Sequence, residues 1–160
     1  EAQFARSARR AYKSQDWAAE IARLRELKPT REEFELRLTR GLNRAQALVL
    51  LSALFQRTPL PELAGYPHQL RPRNAEDWPG FDADQYKEVG GLIANWAITT
   101  IERRPQGSRT PESVSAKLLS YLVPLDTRSA QDIDMWTADR VKDDSARLTA
   151  AVVELWYGDK

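Results

Sequence analysis

Between Thr58 and Phe81 the chain carries Pro59, Pro61, Pro67, Pro72 and Pro79 together with Gly65 and Gly80. A proline has no amide donor and fixes its own φ, so no continuous helix crosses this stretch. It reads as a long connection, and loops of this length in compact domains are functional, linking or disordered. The organisation it implies is a single helical domain over 1–160, with possible subdomains 1–57 and 82–160 joined by 58–81.

On the N-terminal side of that connection the apolar residues repeat at helical spacing. Phe4, Ala8 and Tyr12 share one face, and after Ser14 so do Trp17, Ile21, Leu24 and Leu27, which predicts one bent helix or two short ones ending at Pro29. Thr30-Arg31-Glu32-Glu33 has the form of a capping box, with a helix following to about Arg40. Gly41 closes that helix and Asn43 caps the next, Arg44 to Arg57. Its apolar residues cover nearly the whole circumference and place it at the centre of a bundle.

On the C-terminal side, Asp82 or Asp84 starts a helix expected to run to about Arg103, with Gly90-Gly91 weakening its middle. Ile98-Thr99-Thr100-Ile101 has strand propensity, but no second run offers itself as a partner, so the helix is preferred. Thr110 with Pro111 opens a helix bearing Val114, Leu118, Tyr121 and Leu122, stopped by Pro124. From about Ser129 the pattern is helical to Tyr157, with a break expected near Asp143-Asp144-Ser145 and Gly158 as terminator. The fold class this predicts is all-α, a helical bundle of five or more helices.

Composition narrows the chemistry. Apolar residues make up 42% and charged residues 29% of 160 residues, ordinary globular usage, and a chain of this length buries roughly 70% of its unfolded surface. No apolar run approaches the ~18 residues that cross a bilayer. There is no cysteine, hence no disulfide, no thiolate nucleophile and no Cys-based zinc site. A cytoplasmic location is compatible with that. The first residues lack the apolar centre of a secretory signal, and a start at Glu1 reads as a processed, trimmed or partial chain.

No phosphate loop, nucleophile elbow or zinc-protease helix pattern occurs. His68, the only histidine, lies in the proline-rich connection and reads as a polar loop residue. Asp132, Asp134, Asp139, Asp143 and Asp144 cluster, but Arg128, Arg140, Lys142 and Arg147 are close enough to neutralise them, which describes a solvated helix face better than a metal site. Of the five tryptophans, Trp17, Trp96, Trp136 and Trp156 fall on inward faces, leaving Trp78 as the exposed one. The expectation is a non-enzyme with no cofactor and no metal.

The charge distribution is the best functional signal. Residues 1–73 carry fourteen Lys or Arg against eight Asp or Glu, and residues 74–160 ten against fifteen, so the halves stand at +6 and −5 around a net charge of +1. Eighteen of the 24 basic residues are arginine, whose planar fork suits phosphate and carboxylate. Arg37, Arg40 and Arg44 follow at three- and four-residue spacing and share a side if their helices are collinear. Arg71 and Arg73 add charge, and Arg103, Arg104 and Arg109 form a basic turn with Lys117 in the following helix. These nine are the candidate contacts to a nucleic-acid backbone, which needs cations but no sequence-specific readout. The same pattern suits an acidic protein partner.

The order of features carries a resemblance. The apolar helix Ala45-Gln46-Ala47-Leu48-Val49-Leu50-Leu51-Ser52-Ala53-Leu54-Phe55 comes first. A helix ending in a basic Gly/Ser turn follows, then Glu112-Ser113-Val114 leading to Leu118-Leu119, and Glu154-Leu155-Trp156-Tyr157-Gly158 near the end. Together they resemble the small helical subunit of Cascade-type CRISPR effector complexes. The resemblance implies a non-catalytic subunit in antiviral defence that packs as multiple copies beside other protein subunits and holds single-stranded nucleic acid or an RNA guide. It implies phosphate contacts for Arg44, Arg103, Arg104 and Arg109. The alternative is a protein-only interaction module, such as an immunity, adaptor or inhibitor protein, whose acidic C-terminal half meets a basic partner.

Overall fold

The computed structural model describes residues 28–124, 126 and 133–158; the predicted helices over 4–27 and the inward face of Trp17 lie outside them. The chain divides into two compact units, 1–33 and 34–160. In the first, the amide of Thr30 donates to the Glu33 carboxylate at 3.1 Å, and the amide of Glu33 donates to the Thr30 hydroxyl at 3.2 Å. The expected capping box therefore opens α1 (Arg31–Leu38).

Among the described residues the second unit continues with α2 (Arg44–Gln56), β1 (Tyr66–Gln69), α3 (Ala83–Val89), β2 (Trp96–Thr99), α4 (Pro111–Lys117) and α5 (Ala138–Tyr157), with 3₁₀ turns at Ile93–Asn95, Leu119–Tyr121 and Ile133–Met135. The fold is thus not all-α. Helices surround a two-stranded antiparallel sheet in which Tyr66 faces Thr99, Pro67 faces Ile98, His68 faces Ala97 and Gln69 faces Trp96.

Local chemistry explains most of the helix starts. Asn43, Asp82 and Thr110 each receive amide hydrogen bonds on their side chains, and the third residue of each helix bonds back to the cap. Thr137 caps α5 by accepting from the Arg140 amide. The helix expected over 82–103 stops at Val89. Gly90-Gly91 costs it roughly 1 kcal/mol per residue, and the β-branched run beyond finds a partner. That partner lies inside the proline-rich segment.

Pro67 is tolerated there because of register. The Ile98 amide donates to the Asp126 carboxylate at 2.7 Å and its carbonyl accepts from Val123 at 2.9 Å, so the polar backbone of Ile98 faces away from β1. Pro67, directly opposite, is in a non-hydrogen-bonded pair and its missing N–H costs the ladder nothing. Gly65, at φ +92°, leads in where a Cβ would lie 2.6 Å from the Thr99 carbonyl oxygen, so only glycine fits.

β2 is buried throughout, and its alternating side chains feed two apolar clusters. Ala97 belongs to one with Leu70, Trp78, Phe81, Val114, Leu118, Trp136 and Val141. Trp96 and Ile98 belong to the other with Leu42, Leu50, Leu51, Ile93, Val152 and Val153. Segment 58–81 therefore contributes core residues as well as a strand. Trp78, expected exposed, is buried and donates from Nε1 to the Trp136 carbonyl at 2.9 Å.

α5 runs unbroken for 20 residues, about 30 Å, and serves both clusters. The break expected near Ser145 does not occur. The Ser145 hydroxyl is instead buried and accepts the Ala94 amide at 3.1 Å.

Candidate functional site

The nine basic residues singled out by the sequence have three different fates. Arg71 is withdrawn from the surface: it is 2% exposed, donating from Nε to the Phe81 carbonyl and from Nη1 to the Pro72 carbonyl, both at 2.9 Å. Its guanidinium carbon lies 5.0 Å from the centre of the Phe81 ring and 4.7 Å from that of Tyr86, cation–π contacts that offset part of the burial. Burial lowers its pKa, with Tyr86 and Asp82 acting against that. Arg71 is a core strut, with Leu70 and Pro72 buried on either side.

Arg104 is half-withdrawn. Nε donates to the Ser108 carbonyl at 2.9 Å and Nη2 to the Leu70 carbonyl at 3.1 Å, while Nη1 donates to the Gln69 carbonyl. These bonds fasten the turn after β2 to the end of β1. Desolvation lowers its pKa to about 10, leaving the guanidinium charged at neutral pH.

The others stay outside. Arg37, Arg40, Arg44, Arg73, Arg103, Arg109 and Lys117 are exposed. α1 ends at Leu38, and Gly41 turns the chain at φ +87° before α2 begins, so Arg40 lies past one helix and Arg44 opens the next. Arg37, Arg40 and Arg44 therefore do not lie on one continuous helix.

The fold instead draws Arg44 to the basic turn. Its Nη2 donates to the Glu102 carbonyl at 3.1 Å, across 58 positions of sequence, beside Arg103 and Arg104. His68 joins them from β1: its Nε2 is 2.9 Å from the Ile101 carbonyl oxygen. A carbonyl oxygen only accepts, so Nε2 carries the hydrogen and Nδ1 is the nitrogen left to take a proton. Burial lowers the His68 pKa first; Arg44 and Arg104 lower it further, against the raising effect of the Ile101 bond. Far from being an isolated loop residue, His68 is a partly buried strand residue beside two cations.

What holds Arg44, His68 and Arg104 in these contacts is carbonyl oxygen rather than carboxylate. A carbonyl dipole positions a cation without cancelling its charge, so a positive field persists at this corner.

Across the same turn the arrangement differs. Arg109 forms an ion pair with Glu76 at 2.8 Å, and the Glu76 amide donates to the Arg109 carbonyl at 2.9 Å, latching the 72–80 loop to the turn. Lys117 donates to the Gln106 carbonyl at 3.1 Å. Gly107, at φ +71°, turns the chain where a Cβ would approach the Lys117 ammonium to 3.1 Å. Between them opens a polar pocket of about 560 Å³ lined by Glu76, Gln106, Gly107, Arg109, Thr110 and Ser113. Glu76 offsets the charge of Arg109, whereas Lys117, held by a carbonyl, keeps its own.

Among the described residues no three His, Asp or Glu side chains come together as metal ligands, and no helix is long and apolar enough to cross a membrane. Of the aspartate cluster, Asp132 lies outside the described residues, and Asp144 pairs with Arg140 at 3.6 Å and with Arg147. Compared with protein-family models, curated proteins and solved structures, the chain matches none.

Proposed function

We propose that the chain is a non-catalytic binding module that holds the phosphate backbone of a single-stranded nucleic acid at the corner formed by Arg44, Arg103 and Arg104. The observation that carries this is the Arg44–Glu102 hydrogen bond, which gathers cations distant in sequence. Arg44 and Arg104 are anchored on neutral carbonyl oxygens and Arg103 is exposed, so their charge is available to phosphate. Relative to the sequence-based candidates, the surface shrinks: Arg71 drops out as a core residue, and Arg109 is engaged by Glu76. Service within a ribonucleoprotein complex has the sequence resemblance as its support; of the features carrying it, the apolar helix persists as α2, whereas the helix expected to end in the basic turn stops at Val89.

The test is oligonucleotide binding over a range of salt. Three phosphate contacts on a single strand give a slope of about −2 in log K against log[salt]. The charge reversal Arg44→Glu with Arg103→Glu, which spares the structural Arg104, should weaken binding about tenfold or more and flatten the slope. Binding that is absent at low salt, or indifferent to salt, overturns the reading.

A protein-only interaction module is the second reading, and one observation favours it. Leu60 is 88% and Leu63 56% exposed on a loop fixed by the Gln56 side chain, which donates to the Glu62 carbonyl at 2.7 Å and accepts its amide at 2.8 Å. Preorganised apolar knobs suit a partner's pocket. Copurification of one tight protein partner without nucleic acid would favour it over the first.

A further inference from the structure

We propose that His68 is the proton-linked member of the Arg44–Arg104 corner: when a phosphate settles there, Nδ1 of His68 takes up a proton, so that binding strengthens as pH falls. The inference rests on the reading above and deepens it.

The geometry supplies the reason. His68 is fixed by its Nε2–H bond to Ile101, which survives protonation because it uses the other nitrogen. The imidazole therefore gains charge without moving. The charged groups about it are Arg44 from α2 and, from the turn after β2, Arg104 with Glu102 and Arg103 as its chain neighbours. In the free protein a third positive charge beside Arg44 and Arg104 is unfavourable, and burial opposes it as well. A bound phosphate offsets part of that repulsion and gives the protonated imidazole an opposite charge to pair with, so the same protonation becomes more favourable. By linkage, whatever the phosphate does to the proton affinity, the proton does to the phosphate affinity.

Because His68 is the chain's only histidine, an untagged sample gives one imidazole signal needing no assignment. Its NMR titration should show a midpoint below the ordinary value of about 6.5 in the free protein. A saturating single-stranded oligonucleotide should raise it by about one unit, equivalent to about tenfold tighter binding by the protonated form. Anisotropy titrations at fixed salt should then tighten several-fold from pH 7.5 to 5.5, and His68→Gln should lose that gain. The NMR measurement needs no variant, so it decides the matter even if the substitution disturbs folding. Salt-sensitive binding with an unmoved midpoint overturns the proton linkage alone; no binding at any pH overturns the linkage and the nucleic-acid reading together.

Discussion

The carboxamide of Asn95 can accept two hydrogen bonds and donate two, and all four are made. Its oxygen accepts the Arg71 amide at 3.0 Å and the Trp136 indole N–H at 3.2 Å, and its nitrogen donates to the carbonyls of Arg71 at 3.0 Å and Gly90 at 2.8 Å. The residue is fully buried, so it ties the end of β1 to the turn after α3 and to a core tryptophan in a setting where an unmade bond is expensive. Asn95→Asp keeps the shape but removes both donors and buries a carboxyl group against two carbonyl oxygens. We expect a loss of about 3 kcal/mol or more, read as a lower denaturant midpoint with the slope unchanged, whereas exposed Arg73→Ala should stay within about 0.5 kcal/mol. Nothing at the sequence level separates this asparagine from one on a surface, because its significance lies in groups that reach it from other segments. The same is true of Arg71, which composition alone assigns to the basic face.

At the scale of the element, what is local was legible and what is paired was not. The caps Thr30, Asn43, Asp82 and Thr110 could be read because a cap bonds to amides two or three residues away. The strand propensity of Ile98 to Ile101 was also visible, but its partner Tyr66-Pro67-His68-Gln69 is short, polar and interrupted by proline, so no pattern announced it. Register resolves the paradox: only every second residue of an edge strand must donate to the ladder. This predicts an asymmetry between adjacent positions. Pro67→Ala should change stability by less than about 1 kcal/mol, since no ladder bond is gained or lost. His68→Pro, opposite Ala97 in a hydrogen-bonded pair, should cost about 3 kcal/mol or more, far beyond His68→Gln. Equal losses at 67 and 68 in chemical denaturation would show the register to be wrong.

At the scale of the molecule, the candidate site was legible as charge but not as place. The sequence marked the basic turn and Arg44 separately; their meeting depends on β2 leading into the turn beside α2, a consequence of a sheet the periodicity did not reveal. That sheet also governs how residues 34–160 hold together. β2 divides the apolar interior into two clusters, while α5 contributes Val141 to one and Val152 and Val153 to the other, with Leu148 packed against both. A continuous helix cannot lose one end's packing without weakening the other, so both clusters should open in a single cooperative step. Val152→Ala leaves a cavity expected to cost about 1–3 kcal/mol. Native-state hydrogen exchange locates the loss: the slowest amides of Leu51 in the second cluster and Val114 in the first should lose protection equally. If protection falls at Leu51 and stays unchanged at Val114, the clusters are independent, and α5 spans two cores without coupling them.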